Sequence, residues 1–226
     1  MKLGALSDIG PDAMDRISRH ARERVLGPND IIYHQDDEST HFYIVQSGNV
    51  RLSYITEEGF VSLFAIMAPG GTLGEAGVLG GFDHVETAST IGPTTVLAIS
   101  ADCLRGDGSG AAELRAEMGR LVARRYLAQM QLTRALYLPK LSQRLAHALL
   151  QLLETLGNEV RYRDRMVDCL GPVVTQSDLG SMARGTRENI NKTLRKWDKD
   201  GIVRLEDRHI LFLDRQRLEN MALAIE

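Results

Sequence analysis

The sequence predicts an α+β chain in three stretches: a β-roll or jelly-roll barrel, one long helix, and a terminal group of helices closed by a strand hairpin. Three observations carry this. From Arg24 to Ile99 apolar residues alternate with a period near two, between turns rich in glycine and proline. From about Ala111 to Tyr137 they recur instead at steps of four and three. After Leu138-Pro139, short helical patterns run directly into two alternating strands. A chain of 226 residues, 43% hydrophobic and 25% charged, can bury one large core or two modest ones.

In the first stretch the strands are Ile31-Ile32-Tyr33, Phe42 to Val45, Val50 to Tyr54, Val61 to Met67, Thr87 to Ile91 and Val96 to Ile99. Turns are expected at Gly27-Pro28-Asn29-Asp30, Ser47-Gly48, Glu57-Glu58-Gly59, Pro69-Gly70-Gly71 and Gly92-Pro93, where glycine permits positive φ and proline sets a bend. Asp107-Gly108-Ser109-Gly110 ends that pattern, and Ser109 is the expected N-cap of the long helix. Leu114, Met118, Leu121, Arg125, Ala128, Leu132 and Ala135 then form a coiled-coil seam with one charged interruption. Pairing of two helices along this seam is favoured over packing on the chain's own barrel, because about 27 residues exceed the usual globular helix. Leu127 and Met130 flank the seam and are also available to the barrel.

Leu141, Leu145, Leu149, Leu152, Leu153 and Leu156 mark an amphipathic helix stopped at Gly157-Asn158. Residues 159–172 read as polar and irregular. Thr175 and Asp178 have the spacing of a capping box, Arg184-Gly185 makes a joint, and Thr186 caps a second helix that runs to about Lys199. Ile202 to Leu205 and His209 to Leu213 form a hairpin through Glu206-Asp207-Arg208, and Asp214 is placed to cap a last short helix.

At 100° per residue, Ile190, Leu194 and Trp197 make one stripe that must be buried, so Arg187, Glu188, Asn191, Lys192 and Arg195 must face outward. A helix–turn–helix with this face suits the DNA major groove, where each base pair shows a distinct pattern of donors and acceptors. Arg187 can donate twice to guanine, Glu188 can accept from a cytosine amino group, and Lys192 can donate to guanine or phosphate. Thr175 and Gln176 at the first helix's N-terminus are candidates for phosphate, while Arg195, Lys196 and Lys199 add electrostatic attraction. The alternative is an ordinary solvated charged face. The hairpin that follows favours a winged helix–turn–helix.

Charge is uneven. Residues 1–138 hold 12 basic and 17 acidic side chains, a net of −5, and residues 139–226 hold 15 and 13, a net of +2. Cys103 and Cys169 lie in no CxxC or Cys/His cluster, which argues against a disulfide framework, a zinc site or an iron–sulfur cluster. MKLGALSDIG has no signal-peptide pattern and no stretch approaches the roughly 20 apolar residues of a membrane span, so a cytoplasmic protein is expected. With no HExxH, P-loop or nucleophile–base pattern, no catalytic residue and no metal ligand is assigned, and an enzyme is not expected. Haem would need an axial ligand; His34, His41 and His84 are available, but a lone barrel histidine is more often structural.

The run TQSDLGSMARGTRENINKTLRKWDKDGIVRL resembles the C-terminal winged helix of the Crp/Fnr superfamily of bacterial transcription regulators, and the order barrel, long helix, winged helix matches that family over essentially the whole chain. The resemblance implies a homodimer that reads double-stranded DNA with TGTGA-like half-sites through Thr175, Gln176, Thr186, Arg187, Glu188, Asn191, Lys192, Arg195 and Lys196, with RNA polymerase as a further partner. Lys192 stands where the family often has arginine, and lysine lacks the guanidinium fork.

The segments GPNDIIYHQDDESTHFYIVQSGNVRL and GTLGEAGVLGGFDHVETAS resemble the family's cyclic-nucleotide-binding sensor barrel. The implied effector pocket comprises Gly74, Glu75, His84, Val85, Glu86, Arg125, Gln129 and Met130. The arginine that holds phosphate in nucleotide-binding members falls on His84 or Val85, and no lysine or arginine occurs between Arg51 and Arg105, although Arg124 or Arg125 of the long helix could supply one. A buried cyclic phosphate would lack a local counter-charge, so a cyclic nucleotide is disfavoured and the effector is unknown. The expected division is 1–110 sensor barrel, 111–138 dimerisation helix and 139–226 DNA-binding domain. The competing reading is a ligand-binding or interaction module whose C-terminal domain docks a protein.

Overall fold

The computed structural model describes residues 4–6, 8–59 and 61–223, so positions 1–3 and 7 of the opening decapeptide lie outside it. The chain divides into two compact units, 1–127 and 128–226. Among the described residues no helix is long and apolar enough to cross a membrane.

The first unit opens with helix α1 (Pro11–His20), followed by strands β1 (Ala21–Leu26), β2 (Ile31–Tyr33), β3 (His41–Ile55), β4 (Val61–Met67) and β5 (Thr72–Leu73). A short helix, α2 (Glu75–Gly80), then leads to β6 (Thr87–Ser100) and the long helix α3 (Ser109–Ala135). All strand pairs are antiparallel, in the order β1-β6-β3-β4, with β2 added to β6 and β5 to β3.

The expected turns at Ser47-Gly48 and Gly92-Pro93 are not turns. Two pairs of predicted strands are instead single long strands, β3 and β6, paired from His41↔Ser100 to Ser53↔Thr87 with register shifts around Ser47. Gly48 takes φ +78° inside its strand, and an added Cβ would lie 2.4 Å from Thr94 Oγ1 and 2.5 Å from the Pro93 carbonyl. A glycine in a strand signals a bulge as readily as a turn, and sequence alone does not show that the partner strand continues through the same level.

This ribbon has two buried faces. Phe42, Ile44 and Ile99 face one core with Leu6, Ile17, Leu114 and Met118. Tyr43, Val45, Val96 and Ala98 face another with Ile32, Tyr33, Leu52 and Leu73. Successive side chains of a strand point to opposite faces, so the unbroken apolar run Phe42 to Val45 is the signature of a strand covered on both sides. Burying each such large side chain contributes about 1.5–3 kcal/mol.

The pairing seam predicted on α3 is corrected by this packing. Leu114 and Met118 are fully buried in the first unit's own core and Leu121 packs partly against it, because their side of the helix is needed to cover the ribbon. The exposed apolar positions follow another register: Tyr126 is 63% exposed and Met130 43%, with Tyr137, 83% exposed, just past the helix end. With Gly119, Ala123 and Thr133 they repeat at steps of four and three. Leu127, assigned to the flank, is 61% exposed. Ser109 begins the helix rather than capping it, and its hydroxyl donates to Asp12 Oδ2 at 2.9 Å.

The second unit contains α4 (Leu141–Leu156), β7 (Asn158–Tyr162), β8 (Arg165–Leu170), α5 (Gln176–Ala183), α6 (Arg187–Lys199), β9 (Val203–Glu206), β10 (His209–Phe212) and α7 (Arg215–Leu223). Its sheet has the order β7-β8-β10-β9. Residues 159–172, expected to be irregular, include the β7–β8 hairpin, and Val167 and Cys169 bury against Leu211. The missed signal is faint, since arginines and acids interrupt the alternation Val160, Tyr162, Val167, Cys169. Asp214 accepts from the Arg217 amide at 3.0 Å, as expected of a cap.

Gly48→Ala should destabilise the first unit by about 1–3 kcal/mol, from left-handed strain plus the Cβ contacts. Thermal unfolding of the variant, with an unchanged second transition, measures this.

Candidate functional site

The helix–turn–helix is assembled by local bonds that the sequence specifies. Thr175 caps α5: its Oγ1 accepts from the Asp178 amide at 3.1 Å, and the Thr175 amide donates to Asp178 Oδ2 at 2.9 Å. Arg184 ends that helix in the left-handed conformation at φ 48°. At Gly180 a Cβ would sit 2.6 Å from the Gly185 carbonyl, so only glycine lets the joint fold back this closely. Thr186 caps α6 by accepting from the Asn189 amide at 3.2 Å. Ile190, Leu194 and Trp197 are buried as the stripe required.

Arg187, Glu188, Lys192, Arg195 and Lys196 are consequently all exposed, and Asn191 is half-buried, with its Oδ1 accepting from Gln176 Nε2 at 3.4 Å. Glu188, Asn191, Lys192, Arg195, Lys196 and Lys199 line one recess of about 480 Å³ along the helix. A second cleft, about 590 Å³, lies between Thr175, Gln176 and Arg187 on one side and Asp207, Arg208 and His209 of the hairpin on the other. Asp207 and Arg208 both have positive φ, 44° and 65°, the geometry of a two-residue hairpin turn. Arg208 and His209 therefore join the face without having been singled out from sequence; the charged residues at that turn were the available sign.

The two capping threonines differ chemically. Thr175 Oγ1 gives its proton to Asp178 Oδ2 at 2.8 Å, which leaves it no donor for an external anion. Thr186 Oγ1 accepts only, so its proton is free to be given outward.

In the barrel, part of the expected pocket comes together. Glu75 is 1% exposed, and its Oε1 lies 2.5 Å from Arg125 Nη1 of α3. Arg125 Nη2 donates to the Thr72 carbonyl at 2.5 Å. Tyr33, which sequence reasoning had only as a strand residue, donates to Glu86 Oε1 at 2.8 Å. The His84 ring stacks on it, centroid to centroid 3.7 Å, beside buried Gly74. Burial holds His84 below the usual histidine range against the pull of Asp37 and Asp83, which favours the neutral ring. Burial pushes the Tyr33 hydroxyl far upward, so it acts as a donor. Burial also raises the Glu86 carboxyl, with Glu75 adding to the effect and Tyr33 and Arg125 opposing it.

Val85 is 55% exposed, between buried His84 and half-buried Glu86, and Gln129 and Met130 are exposed on α3. Among the described residues no group of three or more His, Cys, Asp or Glu could hold a metal.

A β-barrel, a long helix and a winged helix–turn–helix with a basic outward face define a DNA-binding regulator of transcription. Residues 23–106 match the cyclic nucleotide-binding domain family and residues 143–221 the Crp-like helix-turn-helix domain family, together more than two thirds of the chain. The chain belongs to the Crp/Fnr superfamily of transcriptional regulators, which is not a family of enzymes. It is 24% identical over 221 residues to a CRP-like cAMP-activated global transcriptional regulator of Mycobacterium tuberculosis, covering 98% of this chain and 97% of that one. It is also 24% identical to the cyclic AMP receptor protein of Thermus thermophilus, over 96% of this chain and 95% of the relative. The fold is shared with FixK2 from Bradyrhizobium japonicum, with a TM-score of 0.72, 22% identity, and 91% of this chain and 99% of that one covered. A CRP-family transcriptional regulator from Thermus thermophilus gives a TM-score of 0.71 at 22% identity, with 89% and 97% covered.

Thr175→Ala should lower the stability of the second unit by about 1 kcal/mol through loss of the cap, while leaving the salt dependence of DNA binding unchanged, as measured by unfolding and by titrations across ionic strength. A carboxyl with a raised folded-state pKa binds more protons folded than unfolded. Glu86 therefore weakens the first unit as pH climbs out of the ordinary carboxylate range through its raised value. Glu86→Gln should flatten that part of the stability–pH curve.

Proposed function

We propose that the protein is a homodimer that reads a two-fold symmetric operator with TGTGA-like half-sites. The observation that carries this reading is the division of α6: Ile190, Leu194 and Trp197 buried, Arg187, Glu188 and Lys192 presented outward in the first two turns. Arg187 donates to guanine, Glu188 accepts from cytosine, and Lys192 donates to guanine or phosphate. Thr186, Arg195 and Lys196 hold the backbone, and Gln176 orients Asn191. Thr175 contributes by capping. The exposed register Tyr126, Met130 and Tyr137 supports pairing of two copies of the 111–138 helix. Two recognition helices related by that two-fold axis match half-sites about 34–36 Å apart.

In this reading the 1–110 barrel receives a signal that changes how the long helices pair, and through them the spacing of the two recognition helices. RNA polymerase is the further partner proposed. Two relatives are named for cyclic AMP, but His84 or Val85 stands where nucleotide-binding members carry the phosphate-holding arginine, and neither brings a fixed positive charge. Cyclic AMP is accordingly not the proposed effector.

Arg187→Ala should weaken binding to a selected palindromic duplex by about 1–3 kcal/mol and relax preference at one base pair; equal loss on random duplexes would remove its base-reading role. Lys196→Ala should weaken all sequences alike and reduce the slope of log K against log salt by about one. Tyr126→Glu with Met130→Glu should yield monomers in sedimentation and lose the palindrome. A full-length protein that docks a protein surface instead would bind duplexes with no such salt dependence.

A further inference from the structure

The hairpin beside α6 carries a histidine whose tautomer is set by its own turn. His209 Nδ1 lies 2.9 Å from the Asp207 carbonyl oxygen. A carbonyl oxygen only accepts, so Nδ1 carries the proton, and in the neutral ring Nε2 is then a bare acceptor. Among the described residues Nε2 has no hydrogen-bond partner.

His209 lines the cleft of about 590 Å³ together with Gln176 and Arg187. An α6 seated in the major groove, which is about 12 Å wide, has a phosphate backbone running along each of its flanks. The cleft is one such flank, because the N-terminus of α5 and the hairpin tip both stand there beside Arg187. A phosphate oxygen is itself an acceptor. Against the neutral ring it would meet a lone pair, and both groups would give up water without gaining a bond. Against the protonated ring it meets a donor and a positive charge.

The charges around His209 leave the choice to the phosphate. Glu206 stands opposite it in the β9–β10 ladder and Asp207 adjoins it in the turn, while Arg208 and, across the cleft, Arg187 bring positive charge. On the α5 side Thr175, Gln176 and Ser177 are uncharged, and Asp178 is held by the Thr175 cap. The two acids and the two arginines offset each other, so an arriving phosphate decides for the charged ring. No other histidine belongs to this surface: His147 lies on α4 in a separate groove with Glu154 and Glu219, and His20, His34, His41 and His84 are in the first unit.

We infer that His209 contacts the DNA backbone only in its protonated form, so that each chain takes up one proton when it closes on a duplex. This rests on the DNA reading and adds to it a dependence on acidity.

The test measures binding of the full-length protein to the selected palindrome and to a random duplex, from about pH 8 to about pH 6 at fixed ionic strength, the range in which histidine ordinarily changes charge. Affinity should rise about tenfold per chain on both duplexes, since a charge-assisted bond to phosphate carries no sequence information. Calorimetry in buffers of different ionisation enthalpy should show uptake of about one proton per chain. His209→Gln, a neutral donor at every pH, should flatten the dependence, and His209→Arg should flatten it at the tighter affinity. His147→Gln should keep it in full. An affinity that does not change with pH, a dependence that survives in His209→Gln or vanishes in His147→Gln, or proton release in place of uptake overturns the inference. A protein that prefers the palindrome equally at every pH leaves the DNA reading standing without this contact, whereas no preference for any duplex at any pH overturns both.

Discussion

The burial of Ile190, Leu194 and Trp197 is the constraint on which the DNA-facing surface depends. A helix has one rotational freedom about its axis, and three large apolar side chains on one stripe remove it, because turning them to water would forfeit several kcal/mol of transfer free energy. Everything presented outward follows from that rotation. The joint before α6 then decides where the fixed face lies. Gly180 admits the Gly185 carbonyl, Arg184 accepts the left-handed conformation, and the two threonine caps set where each helix begins. The hairpin turn at Asp207 and Arg208 closes the cleft from the other side.

The barrel rests on a comparable economy. Two long strands paired along their length send alternate side chains into two cores, and α3 must give the side carrying Leu114 and Met118 to one of them. What remains outside on that helix is the register of Tyr126 and Met130. The same helix sends Arg125 inward to Glu75, which makes the long helix a wall of the barrel's polar interior as well as a surface.

Short-range chemistry was readable in the residues. The capping box of Thr175 and Asp178, the cap at Thr186, the hairpin after α6 and the outward set on α6 are each decided by spacings of two to four residues, and the structure reproduces them. Legibility failed wherever two distant segments had to agree. Gly48 and Gly92 read as turns because neither strand shows, in its own residues, the partner that pairs with it across the register shift. Val85, a pocket residue by resemblance to the family, is exposed, whereas Tyr33, fifty-three residues from Glu86, reaches that carboxylate through a bond that no local pattern announces.

By itself, then, the sequence determined the order of barrel, long helix and winged helix–turn–helix, and which residues of the recognition helix must face away from the protein, since periodicity and capping act within a few residues. Only the tertiary structure decided which side of α3 stays exposed and which charges share the barrel's interior. Those outcomes depend on what covers each surface, and a side chain's spacing along the chain carries no record of its neighbours across the fold.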